Sequence, residues 1–209
     1  MTDKEEQYAR QAAGWSDVQY ADAGTYLEHR ARVVAGLGPT LASGDEVLDL
    51  ACGDGGFGEV VLGLGFRYRG VDATAEMVAA AERRLAGRAP VELADLNDYA
   101  PPVPVAATTV FRAIYYASDR REFFRRAASY TTRKLVFDLN PRQYALEEVV
   151  EDLRAAGLPR VALRPFFVPQ TRALPAAVGA LLRAAERSGP TARLALRYRF
   201  TYVIAASPA

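Results

Sequence analysis

Three carboxylates carry most of the chemistry legible in this chain. Asp49, Asp72 and Asp95 each close a short run with apolar residues, Val47-Leu48-Asp49, Gly70-Val71-Asp72 and Val91-Glu92-Leu93-Ala94-Asp95. As the ends of successive parallel strands, all three emerge at one carboxyl edge of a sheet, where open α/β folds bind their ligands. The first leads into Ala51-Cys52-Gly53-Asp54-Gly55-Gly56-Phe57-Gly58, a turn whose glycines let a ligand lie against bare backbone. Gly53, Gly55 and Gly58 formally satisfy the dinucleotide spacing, with Asp72 at the distance of a ribose-binding acid. Asp49 separates the cofactor classes, because a carboxylate in that crevice repels a pyrophosphate and favours a cation. Asp72 can accept both hydroxyls of a ribose through its two oxygens.

Other reactive side chains are few. Cys52 is the single cysteine and reads as a small buried hydrophobe in the turn rather than a nucleophile. His29 is the single histidine and stands on a helix, as a solvated residue or as a general base; no Cys/His spacing for a metal occurs. Arg112 directly follows a buried strand and therefore needs an anionic partner, an internal acid or a substrate carboxylate or phosphate. With Tyr115, it completes the short roll of catalytic candidates.

The elements that position these residues alternate. Residues 4–41 have helical spacing of apolar residues, interrupted near Gly14 and 22–25 and stopped by Gly36-Leu37-Gly38-Pro39. Strands are predicted at 47–49, 67–72, 91–93, 106–111 and 135–139, with helices at 59–65, 75–86, 119–130 and 144–156, Thr74 capping the second of these. This rhythm predicts a doubly wound α/β fold with a parallel sheet. Residues 161–168 and 193–204 are strand-like and free to pair antiparallel. Between them an excursion over 165–192 carries prolines and an apolar helical face from Leu174 to Arg187, suited to covering a pocket, to dimerisation or to a membrane surface. The 209 residues suit a single domain: a helical extension over 1–44, a cofactor-binding part over 45–140 and a C-terminal part over 141–209.

Composition narrows the classes further. Half of the residues are apolar and 24% charged, as in soluble globular proteins. One cysteine, no 18-residue apolar run and an acidic Met1-Thr2-Asp3-Lys4-Glu5-Glu6 start make the cytoplasm the default compartment. The net charge of +1 hides an asymmetry: residues 1–111 hold 9 Lys/Arg against 17 Asp/Glu, and residues 112–209 hold 17 against 8. Internal pairing accounts for this in the first instance; a basic face toward an anionic ligand or lipid headgroups is the functional reading. No aromatic-interleaved basic stripe suggests nucleic acid.

Val47 to Gly55, with Gly70-Val71-Asp72, Met77 and Ala94-Asp95-Leu96, resembles the nucleotide-binding half of the class I S-adenosylmethionine-dependent methyltransferases, small-molecule type. The resemblance implies a three-layer, Rossmann-like, seven-stranded sheet of order 3-2-1-4-5-7-6 with strand 7 antiparallel. It implies S-adenosylmethionine as cofactor and S-adenosylhomocysteine as product. The turn from Ala51 through Cys52 and Gly53 to Gly55 would line the methionine part, Asp49 would lie near its amino-acid end, Asp72 would bind the ribose hydroxyls and Asp95 with the backbone of Leu96 the adenine, with Ala73, Met77 and Phe111 also in the cofactor site. Ala51 departs from the family, which usually has glycine there; an alanine is tolerable if φ stays negative.

The implied activity is in-line methyl transfer to O, N or C of a small natural-product or lipid-like acceptor, which an anionic group would suit. The substrate pocket would draw on Tyr8, Trp15, Tyr20 and Tyr26 from the extension, Arg112 and Tyr116 after strand 4, and Asn140 after strand 5. The alternatives are an NAD-dependent oxidoreductase, on the glycine spacing, and a non-catalytic S-adenosylmethionine-binding module. Either a monomer or a homodimer, with or without peripheral membrane contact, is compatible with the sequence.

Overall fold

The computed structural model describes residues 16, 19–198 and 201–209. Seven strands form one sheet, β1 (Glu46–Leu50), β2 (Arg67–Asp72), β3 (Val91–Leu93), β4 (Val105–Val110), β5 (Thr131–Leu139), β6 (Arg160–Pro165) and β7 (Tyr202–Ser207). Their order is β3-β2-β1-β4-β5-β7-β6, as the resemblance implies. The pairs among β1 to β5 are parallel, and β7 runs antiparallel to both β5 and β6. The α-helices among the described residues include α1 (Ala23–Gly36), α2 (Gly56–Gly63), α3 (Ala75–Leu85), α4 (Arg120–Tyr130), α5 (Leu146–Ala155), α6 (Ala176–Arg187) and α7 (Gly189–Arg197). No helix among the described residues is long and apolar enough to cross a membrane.

Burial explains why the inner strands read as continuous apolar runs. Every residue of β1 and of β7 is buried, as expected of strands covered on both faces. Alternate residues of β1 enter opposite halves of the core: Leu48 and Leu50 join Phe124, Phe137 and Leu153 on one side, and Val47 joins Leu27, Val34 and Phe57 on the other. Asp49 shares the parity of Val47 and so points to the side on which α1 packs. Gly58 is required by packing, since a Cβ there would lie 2.4 Å from the Tyr68 ring.

The last fifty residues depart from the sequence reading. Residues 193–197 are helical, within α7, and the final strand begins only at Tyr202. The period-2 pattern of Leu194-Ala195-Leu196-Arg197-Tyr198 loses to a local start signal, Ser188-Gly189-Pro190, in which proline sits in the first turn and Ala192 N–H donates to the Ser188 carbonyl. β6 also ends at Pro165, three residues earlier than its apolar run; it is the edge strand, where a proline nitrogen facing away from the ladder is tolerated, and the Phe166 N–H makes a last bond to the Thr201 carbonyl. The expected side-chain cap at Thr74 is absent; the Thr74 N–H donates instead to Asp72 Oδ1 at 3.0 Å.

Candidate functional site

The carboxyl ends of β1, β2 and β4 and the segment after β3 open into one cavity of about 830 Å³. Asp49, Asp72 and Asp95 all line it, together with Ala51, Cys52 and Gly53 of the glycine turn. The turn is built on left-handed backbone, with φ of 60° at Ala51, 59° at Gly53 and 77° at Gly55. The condition that Ala51 keep a negative φ is therefore not met: the alanine holds a conformation in which its Cβ crowds the carbonyl. Two ties compensate. The Cys52 N–H donates to the Val71 carbonyl at 2.9 Å, and the Gly53 N–H donates to Asp72 Oδ2 at 2.9 Å.

Each acid has its own setting. Asp49 is buried; Tyr68 Oη donates to its Oδ2 at 2.9 Å and Thr109 Oγ1 to its Oδ1 at 2.6 Å. Burial pushes its carboxyl up to about 6, against the pull of those two hydrogen bonds and of the nearby Arg30 charge. Asp72 accepts Gly53 N–H and Thr74 N–H on separate oxygens, and burial raises its pKa despite those bonds. Asp95 is exposed and accepts the Asn97 N–H at 2.7 Å, beside the buried Leu96. Met77 and Ala73 also line the cavity, as do Phe111, Arg112, Tyr115 and Tyr116 beyond β4. Gly55 is not among the lining residues; its left-handed backbone shapes the turn from behind, where a Cβ would meet Ala81 at 3.1 Å. Cys52 is buried and its thiol is pushed well above its ordinary value by burial, which makes it a poor nucleophile.

The predicted acceptor residues divide. Tyr20, Arg112 and Tyr116 line the cavity, but Tyr26 lies behind it, stacked on Tyr20 with ring centroids 4.5 Å apart, and its hydroxyl accepts from Arg30 at 2.8 Å. Asn140 is outside it, its side chain accepting Arg142 N–H at the end of β5. His29 is also outside: its Nε2 lies 2.6 Å from Glu186 Oε2, and both side chains are buried. Tyr8 and Trp15 lie outside the described residues.

Arg112, for which the sequence allows an internal acid or a substrate as partner, has no carboxylate within ion-pair distance of its guanidinium among the described residues. That group reaches Gln19 Oε1, at 3.5 Å. Its backbone holds φ at 56° and donates N–H to Asp138 Oδ1 at 2.7 Å.

Three residues that sequence reasoning missed complete the site. Arg30 lines the cavity at 3% exposure, its guanidinium 4.3 Å from the Phe111 ring centroid and 3.6 Å from Asp138 Oδ2. Its buried Nε has no hydrogen-bond partner among the described residues. The signal was present: position 30 falls four residues after Tyr26 and four before Val34, so an arginine occupies the apolar stripe of α1. Asp138 ties both arginines from the end of β5. Asp54 is buried inside the turn and binds the N–H and hydroxyl of Ser16 and the guanidinium of Arg84 at 2.9 Å, securing the extension to the glycine turn.

Comparisons with known proteins agree with this geometry. Residues 47–134 match the family model described as a methyltransferase domain. No curated protein matches the chain in sequence. Among solved structures, a TehB-like SAM-dependent methyltransferase from Corynebacterium glutamicum superposes with a TM-score of 0.67 at 13% identity, over 99% of this chain and 98% of that one. A chain of the complex between the Haloferax volcanii Trm112 methyltransferase activator and its methyltransferase gives 0.68 at 20% identity, over 99% and 97%. Phosphoethanolamine N-methyltransferase 2 of Haemonchus contortus, in complex with S-adenosyl-L-methionine, gives 0.65 at 17% identity, over 100% of this chain and 58% of that one. At such identities the structural likeness is one of fold, and it joins the matched domain and the strand order in one conclusion: residues 47–134 carry a methyltransferase domain, and the chain has the class I, Rossmann-like methyltransferase fold.

Proposed function

We propose that this protein binds S-adenosylmethionine in the cavity at the strand ends and transfers its methyl group to a small acceptor bearing an anionic group. One observation carries the reading: Asp49, Asp72, Asp95 and the glycine turn line the same cavity as a buried arginine with an unsatisfied Nε. That donor set fits a zwitterionic, cationic nucleoside. Asp72, whose oxygens keep acceptor capacity beyond the two backbone bonds, suits paired ribose hydroxyls. Asp95, Leu96 and Met77 suit the adenine, Asp49 the ammonium and Arg30 the carboxylate of the methionine end. A dinucleotide's pyrophosphate would meet the Asp49 carboxylate instead, which disfavours the oxidoreductase alternative.

The cofactor supplies an activated methyl on a good leaving group, so the chain's own task is alignment and exclusion of water. Such positioning is worth roughly 7–11 kcal/mol in favourable cases. Phe111, Tyr20, Tyr115 and Tyr116 provide walls for the acceptor. Arg112, short of a carboxylate partner among the described residues, provides the charge that orients an acceptor carboxylate or phosphate. His29, bound to Glu186 away from the cavity, is not in position to act as the base.

Calorimetric titration with S-adenosylmethionine, S-adenosylhomocysteine and NAD tests the cofactor. The first two bind and NAD does not; absence of binding by either sulfur compound overturns the reading. Transfer of a labelled methyl group to an acceptor from a panel of small phenolic, amine and carboxylate compounds separates an enzyme from a binding module.

A further inference from the structure

We infer that α6 and α7 form a docking surface for the face of an anionic lipid bilayer. A surface helix normally turns its apolar stripe inward and its polar face to water. In α6 this is inverted. Ala176, Ala177, Val178, Ala180, Leu181 and Ala184 are exposed, while Gly179 and Glu186 are the buried positions. Leu181 is 70% exposed, and α7 adds Leu194 at 53% and Tyr198, just past its end, at 64%. Half of the exposed large hydrophobic side chains among the described residues thus fall within 178–198.

The charges of the same segment have one sign. Arg172, Arg187, Arg193 and Arg197 are exposed, and the lone acid between 171 and 198, Glu186, is buried against His29 and the Phe167 N–H. α6 and α7 pack on each other and on the edge strand β6, so the apolar tips and the arginines are carried on two neighbouring helices at the sheet's edge.

This combination selects the occupant. A second copy related by a two-fold axis would set arginine against arginine with no exposed acid in the segment to receive either. A nucleic acid would neutralise the arginines but leave Val178, Leu181 and Leu194 without an apolar partner. A bilayer with anionic headgroups satisfies both, taking the leucines and valine into the acyl boundary and the guanidiniums to phosphate. The segment is rooted at the cavity: Phe166 packs against Tyr26, and the Arg30 guanidinium lies 5.6 Å from its ring centroid.

Sedimentation of the full chain with phosphatidylcholine vesicles, with and without phosphatidylglycerol, tests the surface. The protein is expected to sediment with the phosphatidylglycerol vesicles alone, and to be released as salt rises. Arg193→Gln and Arg197→Gln should each lower partitioning about fivefold. Leu181→Asp should lower it further, with thermal unfolding and S-adenosylhomocysteine binding unchanged in all three. Equal sedimentation of Leu181→Asp and the parent overturns the inference, as does a lack of association with either vesicle. So do a dimer in sedimentation velocity that Leu181→Asp dissolves while vesicles capture nothing, and DNA binding that Leu181→Asp leaves intact while vesicles are ignored. None of these results depends on the cofactor, whose binding is measured separately.

Discussion

Asp49 and Asp72 belong to the same cavity but answer to different physics. Asp72 works through geometry: replacing it with alanine removes the two acceptors proposed for the ribose and also the tie to Gly53 N–H. With charge-assisted bonds at roughly 1.5–3 kcal/mol each, Asp72→Ala should weaken S-adenosylhomocysteine binding at least tenfold in calorimetry. Asp49 works through charge. Its folded pKa of about 6 lies above the ordinary 3.8, so the protonated form favours the fold and its contribution to stability is lost as pH rises through about 6. A cationic ligand demands the opposite, ionised form. Affinity for S-adenosylmethionine should therefore fall as pH drops below about 6, and Asp49→Asn should bind more weakly with that dependence removed. At Ala51 the left-handed backbone costs an alanine about 1–2 kcal/mol, partly offset by the extra chain entropy of a glycine. Ala51→Gly should stabilise the protein by about 0.5–1 kcal/mol, seen as a melting temperature a few degrees higher.

Single elements are held to the site by buried polar ties that no local pattern announces. The Lys134 ammonium, carried on β5, donates to the carbonyls of Ala35 and Leu37 at 3.2 and 2.8 Å, closing the C-terminal end of α1. At the other side of α1, Glu186 joins α6 to His29 and to the Phe167 N–H at 2.7 Å. Glu186→Ala removes the acceptor from both and should cost about 1–3 kcal/mol. Hydrogen exchange should then speed up over 166–187 while β1 to β4 keep their protection. Sequence periodicity located most helices within two or three residues, because each buries a single stripe whose spacing is local. It failed at α7, where alternation imitates a strand, and at His29 and Asn140, whose distance from the cavity is set by contacts far along the chain.

The whole molecule is wider than its matched domain. Residues 47–134 end inside β5, yet Leu135, Phe137 and Leu139 are buried and pair with Ala206, Ile204 and Tyr202 of β7 respectively. A fragment of residues 47–134 therefore lacks the strand that closes half the core, and its thermal scan should show no cooperative transition where the full chain shows one. The charge asymmetry between the two halves of the chain persists at this scale: Arg120 and Arg121 pair with Asp152, and Arg69 with Glu46 and Glu92, each within one half, Arg133 reaches Asp45 across them, and Arg187, Arg193 and Arg197 of α6 and α7 are exposed with no ion pair among the described residues. The sequence by itself determined the order of strands and helices as far as β6 and the convergence of Asp49, Asp72 and Asp95, since apolar runs are local and a parallel sheet sends every strand end to one edge. Only the tertiary structure decided that Arg30, Asp138 and Asp54 join those acids, that His29 does not, and that Ala51 turns left-handed. Those outcomes depend on how α1 and the ends of β4 and β5 pack together across a hundred residues of chain, where no spacing rule reaches.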